Sequence, residues 1–142
     1  DEKLEKAKRY GADHVINASR KDFVEYVMSA TSGQGVDVVM ENAGGEDFTR
    51  RLQCVRKGGV VVVVGAHAGE LVQMDLVHLF RRELRVVGSR NAKAAELTTI
   101  MDLVARGRLS PVVHCALPLS QAREAHDILA SRRAFGKVLL IP

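Results

Sequence analysis

The feature that most limits this chain is the segment Gly58-Gly59-Val60-Val61-Val62-Val63-Val64-Gly65, five consecutive valines set between glycines. Valine is branched at Cβ, which restricts it in a helix and suits it to a strand. Successive side chains of a strand point to opposite faces. A run with no polar alternate therefore offers neither face to water. Such runs belong to parallel sheets shielded by helices on both faces. In those sheets ligands bind beyond the carboxyl ends of the strands, near the point where strand order reverses. Gly65 marks such an end, and its missing side chain lets another group approach the backbone.

The rest of the sequence has the alternation this requires. Asp1 is placed to cap a helix with Leu4 and Ala7 on one side and Gly11 at its end. His14–Asn17 reads as a short strand. Residues 22–31 put Phe23, Val24, Val27 and Met28 on one helical face, and 36–40 is the next strand. Residues 46–56 space Phe48, Leu52 and Val55 as a helix, and Lys57-Gly58-Gly59 turns the chain into the valine run. A shorter helix over 75–82 precedes a strand at 84–88. The longest helix covers 92–106, with Leu97, Ile100, Met101 and Val104 inward and Gly107 as its stop. Val112–Cys115 is a short extended piece. Ser120 caps a helix reaching Ser131, and Lys137–Ile141 is a final strand. Repeats, low-complexity tracts and Pro/Gly/Ser-rich linkers are absent from the sequence.

Composition narrows the function classes. The 142 residues suit one ordinary domain, with 46% hydrophobic and 27% charged residues. The net charge of +4 is dispersed and aromatics are 4%, so the clustered basic face of a nucleic-acid binder is missing. No apolar run is long enough to span a bilayer, and the charged start has no apolar signal core. Cys54 and Cys115 lack metal-ligand spacing and read as a buried, reduced pair in a cytoplasmic protein.

Two glycine motifs need separating. Gly33-Gln34-Gly35 looks like the start of a phosphate-cradling G-x-G-x-x-G, but the third glycine is missing and the segment runs from helix into strand. A cradle needs strand into helix, so that the helix N-terminus faces the phosphates. Gly33 and Gly35 therefore read as a helix-ending turn. Glu41-Asn42-Ala43-Gly44-Gly45 follows a strand, where a ligand loop belongs; a plain flexible loop is the competing reading. It is like the Asn-Ala-Gly stretch of short-chain dehydrogenases, but Tyr10 and Tyr26 lack the lysine four residues on that such enzymes need. The histidines 14, 67, 78, 114 and 126 show no metal-binding spacing. His67, just past Gly65, is either near a ligand or an exposed loop residue. No nucleophile–base pairing stands out.

Taken in order, the segments 1–17, 35–45, 58–65, 83–90, 118–129 and 136–142 resemble the zinc-binding, medium-chain alcohol dehydrogenases, on the branch shared with quinone oxidoreductases. The resemblance covers nearly the whole chain. Members of that family are over twice as long, and this chain resembles their portion beyond the second Rossmann strand. The resemblance thus implies an α/β fold: part of a Rossmann-type doubly wound parallel sheet, without its first two strands and glycine-rich turn. Residues 1–90 would form that partial dinucleotide-binding domain. Residues 91–142 would be C-terminal helices and a strand returning toward a catalytic domain.

The resemblance implies hydride transfer between NAD or NADP and an alcohol, carbonyl, quinone or enone. Zinc is possible in the parent protein, with no ligands in this chain. By resemblance, Lys3 contacts the adenosine ribose, with a solvated lysine as the alternative. Asn42 and Ala43 flank the riboses, and Val64, Gly65 and Ala66 lie against the nicotinamide. Val87, Gly88 and Ser89 hold the carboxamide through main-chain groups, and Lys137 lies near the pyrophosphate. Arg90 and Arg132 are as well explained as surface arginines. No catalytic residue falls in the chain. The partner is a small-molecule substrate, with no nucleic acid and no membrane, in a homodimer or tetramer built on the outer strand at 84–88. The alternatives are a non-catalytic nucleotide-binding module, or an enoyl-reductase domain of a larger synthase.

The resemblance carries one physical difficulty. In the strand order 3-2-1-4-5-6 this chain supplies candidates for 3, 4, 5 and 6. Omitting two strands spaced about 4.8 Å apart opens a gap of roughly 14 Å between strands 3 and 4. Open edges of that kind invite pairing.

Overall fold

A computed structural model of the protein describes residues 2–142; Asp1, the expected cap of the first helix, lies outside the described residues. The chain divides into two compact units, one ending at Asn91 and the other starting at Ala92.

The first unit runs α1 (Glu2–Arg9), α2 (Phe23–Ala30), β1 (Val36–Glu41), α3 (Phe48–Gln53), β2 (Val55–Val63), α4 (Leu76–Arg81) and β3 (Arg85–Gly88). The three strands form one parallel sheet in the order β1-β2-β3. The valine run is thus the central strand, and β3 lies at an edge, as the sequence predicts.

Local chemistry explains several helix boundaries. The Asp22 carboxylate caps α2 by accepting hydrogen bonds from the amides of Val24 (2.8 Å) and Glu25 (3.2 Å). Gly33, at φ +80°, closes that helix through its amide to the Met28 carbonyl at 2.7 Å. The helix-ending reading of Gly33-Gln34-Gly35 therefore holds. Asp75 caps α4 through the amide of His78 at 3.0 Å.

Three expectations in this unit fail. His14–Asn17 is not a strand. A strand exists only with a ladder partner, and none of the described residues pairs with this segment. Val55 does not continue α3; Cys54 caps that helix and Val55 opens β2, opposite Val36. The expected turn at Lys57-Gly58-Gly59 is a bulge inside β2, because register passes from Val36↔Val55 directly to Val38↔Val60.

The core lies on one face of the sheet. Phe48 and Leu52 of α3 pack with Val55, Val61 and Leu84, joined by Val39, Val63, Met74 and Leu79. Each large side chain buried there contributes about 1.5–3 kcal/mol. The other face is different. Paired residues of parallel strands share a face, and Val38, Met40, Val64 and Val87 on that side are exposed, while Val60 and Val62 are half-buried. Shielding by helices on both faces is therefore not met among the described residues.

The second unit holds α5 (Ala94–Ala105), β4 (Val113–Pro118), a 3-10 turn (Leu119–Gln121), α6 (Ala122–Ala130) and β5 (Lys137–Ile141). β5 pairs in parallel with β4, and α6 packs on this ribbon. The extended piece is thus longer than Val112–Cys115, and the final strand has a partner within the chain. Ser120 sits inside the 3-10 turn instead of capping α6. Leu97, Ile100 and Met101, expected inward, are exposed. Helical spacing creates an apolar face but not the surface that covers it. Cys54 is buried but Cys115 only half-buried, and both thiols are free, so the expected buried pair is half right.

Candidate functional site

The three strands of the first sheet end side by side. Glu41 pairs with Val63, and Val63 with Gly88. The chain leaves these ends as three neighbouring segments, 42–45, 64–69 and 88–89. The pairing continues past the strands. The Val64 amide donates to the Glu41 carbonyl at 2.7 Å, and the Ser89 amide to the Val63 carbonyl at 2.9 Å. Farther out, the Ala68 amide donates to Ala43 (2.6 Å) and the Gly45 amide to Gly69 (3.1 Å). A parallel bridge between Gly44 and Gly69 completes this clasp.

The loops can approach so closely because side chains are missing there. Gly44 has φ +65°, and a Cβ on it would collide with the Gly69 carbonyl oxygen. Gly65 faces the Asn42 carbonyl, and a Cβ on it would stand 3.0 Å from that oxygen and 3.4 Å from Nε2 of His67. The loop at 42–45 is thus tied down, with Gly44 and Gly45 buried, and is not a loose connection.

A buried carboxylate organises this end of β1. Glu41 is 1% exposed. Its Oε1 accepts from the amides of Ala43 (2.6 Å) and Gly44 (2.9 Å), while Oε2 lies 3.1 Å from the Arg51 guanidinium. The same Arg51 nitrogen donates to the Gly44 carbonyl at 2.9 Å. Sequence reasoning assigned Glu41 no role. The signal was available: strand alternation puts Glu41 on the face of Val39, which is the core face.

Of the residues singled out in the sequence, Asn42, Ala43, Val64, Gly65, Ala66, Val87, Gly88 and Ser89 come together at these strand ends. Lys3 lies instead in the first turn of α1, with an exposed side chain. Lys137 belongs to the second unit, where it begins β5 and donates its amide to Val112 at 2.8 Å. His67 is exposed. Among the described residues, no three of His, Cys, Asp and Glu come together as a metal site, and no helix is long and apolar enough to cross a membrane.

Comparison with known proteins gives this geometry a context. The pattern of the zinc-binding dehydrogenase family matches residues 10–140. An NAD-dependent alcohol dehydrogenase of Sulfurisphaera tokodaii is 34% identical, over 100% of this chain and 41% of that protein. A crystal structure of an NAD-dependent alcohol dehydrogenase superimposes with a TM-score of 0.88 at 36% identity, over 99% of this chain and 41% of that one. The Escherichia coli quinone oxidoreductase complexed with NADPH gives 0.84 at 32% identity, over 99% and 47%. The chain thus spans less than half the length of each. The α/β, Rossmann-like architecture expected from the sequence is the one these structures share.

Proposed function

Because the chain belongs to the zinc-binding dehydrogenase family, we propose that it is the trailing part of an oxidoreductase that moves a hydride between NAD or NADP and a small alcohol, carbonyl, quinone or enone. The observation that carries this reading is the joint ending of β1, β2 and β3 with glycine-bearing loops clasped beyond them. Ligands of such sheets bind at that end.

The residues present fit part of a dinucleotide. Gly65 leaves a narrow, side-chain-free gap against Asn42. In this reading Asn42 and Ala43 flank the riboses, and Val64, Gly65 and Ala66 lie against the nicotinamide. Val87, Gly88 and Ser89 meet the carboxamide through the main chain. The Ser89 amide is already given to Val63, so its carbonyl and hydroxyl serve. The amide of Ala43 is likewise given to Glu41, which leaves contact surface and not a free donor. Lys3 meets the adenosine ribose and Lys137 the pyrophosphate. The glycine-rich phosphate turn is absent from the sequence, so the remaining phosphate contacts come from outside it.

The dinucleotide supplies the hydride chemistry, and this chain binds and orients it. Among the described residues no three of His, Cys, Asp and Glu gather as a set of zinc ligands. Residues 1–90 act as part of the dinucleotide domain, and 91–142 as the segment returning toward a catalytic domain. The exposed sheet face of Val38, Met40, Val64 and Val87 supports further covering chain, since doubly wound sheets are covered on both sides. The free edge of β3 suits pairing with a second copy, in a homodimer or tetramer. Two free cysteines fit the cytoplasm.

Titration of the full-length protein with NADH and NADPH, followed by turnover with aldehydes and quinones, tests the reading. Saturable binding with hydride transfer is expected. Binding without turnover favours a nucleotide-binding module, and no binding at all sinks both.

A further inference from the structure

We infer that Glu41 is a positioning residue of the dinucleotide site: its buried carboxylate, tied to Arg51, sets the shape of the loop that carries Asn42 and Ala43. This rests on the functional reading above and deepens it.

Glu41 is the one buried charged side chain among the described residues. Removing a carboxylate from water is costly, and an apolar side chain often serves a core position at least as well. An apolar side chain cannot collect amides, however. Glu41 draws the successive N–H groups of Ala43 and Gly44 onto one oxygen, which turns the chain immediately after β1. Asn42 is left on the outside of that turn, exposed. Arg51 then binds both the second carboxylate oxygen and the Gly44 carbonyl, which fastens the turn to α3. Because the Glu41 carboxylate and the Arg51 guanidinium are both ions, the bond between them is of the stronger kind.

The consequence reaches the second loop. The 42–45 segment is bonded to 68–69 through Ala43 and Gly45. The Asn42 carbonyl faces Gly65, where a Cβ would make a tight contact at 3.0 Å. Displacing the first loop therefore changes the gap between Asn42 and Gly65, where the functional reading puts the ribose and nicotinamide.

Two variants of the full-length protein test this. Glu41→Gln turns an N–H₂ toward either Arg51 or the two amides, so one set of donors meets a donor. Arg51→Lys keeps the charge on a partly exposed position but ends one atom short of Nη1, the single nitrogen that meets both Glu41 and Gly44. The Kd for NADH or NADPH should rise about tenfold or more in Glu41→Gln, the cost of a lost charged hydrogen bond. The KM for the second substrate, at saturating dinucleotide, should stay within about twofold, as expected when only dinucleotide binding is touched. Amide exchange should quicken at Ala43 and Gly44 while Val61–Val63 stays protected, which a general loss of stability would not produce. If Glu41→Gln does not fold, Arg51→Lys decides, with the same pattern in weaker form. A wild-type protein that binds no dinucleotide overturns the functional reading and this inference with it. Wild-type binding that both folded variants match overturns the inference alone.

Discussion

Gly44 and Gly69 stand across a parallel bridge that joins the loops after β1 and β2, with no room between them for a side chain. The bridge extends the sheet's pairing by one residue pair into what would otherwise be two independent loops. Together with the bonds from Ala68 to Ala43 and from Gly45 to Gly69, it ties the two loops to each other beyond the strand ends.

Gly44→Ala should therefore cost more than its backbone conformation alone. Both Gly44 and Gly33 have positive φ, but a Cβ at Gly33 meets open space. Gly33→Ala should lose roughly 1–2 kcal/mol from the left-handed conformation. Gly44→Ala should lose about 1–3 kcal/mol beyond that, because strain at such a site cannot relax freely. Urea unfolding of both variants measures the difference, and equal losses would mean the clasp is open in solution.

Acid should weaken the anchoring of α2. Amide hydrogen bonds, first from Glu25 and then from Val24, with the Arg50 guanidinium 2.6 Å away, hold the Asp22 carboxyl below its ordinary 3.8. A carboxyl whose folded value is depressed binds fewer protons folded than unfolded. Its stabilising effect is complete above the ordinary value and is lost as pH falls through the folded one. Asp22→Ala should be less stable than wild type at pH 7, with the gap closing below about pH 3.8. A gap that stays constant down to pH 2 would deny the carboxylate this role.

The two thiols should differ in reactivity. Burial pushes the Cys54 thiol above its ordinary 9.0, and thiolate is the reactive form. Cys115 is only half-buried. Iodoacetamide at pH 8 should label Cys115 first, with Cys54 reacting only as the first unit opens. Peptide mapping after timed quenching reads the order, and equal rates would contradict it.

A polypeptide of these 142 residues alone should bind NADH weakly or not at all, since its sequence has no glycine-rich phosphate turn. Calorimetry checks this, and micromolar affinity would refute it.

Much of the fold was legible residue by residue. Five valines in succession predicted a central parallel strand, and β2 is one. The spacing of Phe23, Val24, Val27 and Met28 predicted a helix within 22–31, and α2 covers Phe23–Ala30. These features depend on near neighbours in sequence, which is why spacing reveals them. His14–Asn17 has strand-like residues but no ladder partner, and Leu97 and Met101 have helical spacing but no cover. Those outcomes depend on surfaces elsewhere.

The candidate site divides in the same way. Sequence alone determined which segments follow strands, and so which residues gather at one end of the sheet. Only the tertiary structure decided that Glu41 turns inward to hold Ala43 and Gly44, that Arg51 reaches back ten residues to meet it, and that Gly44 closes on Gly69. The physical reason is range. Periodicity and capping are set by bonds a few residues long, whereas a buried charge survives only where distant donors converge on it.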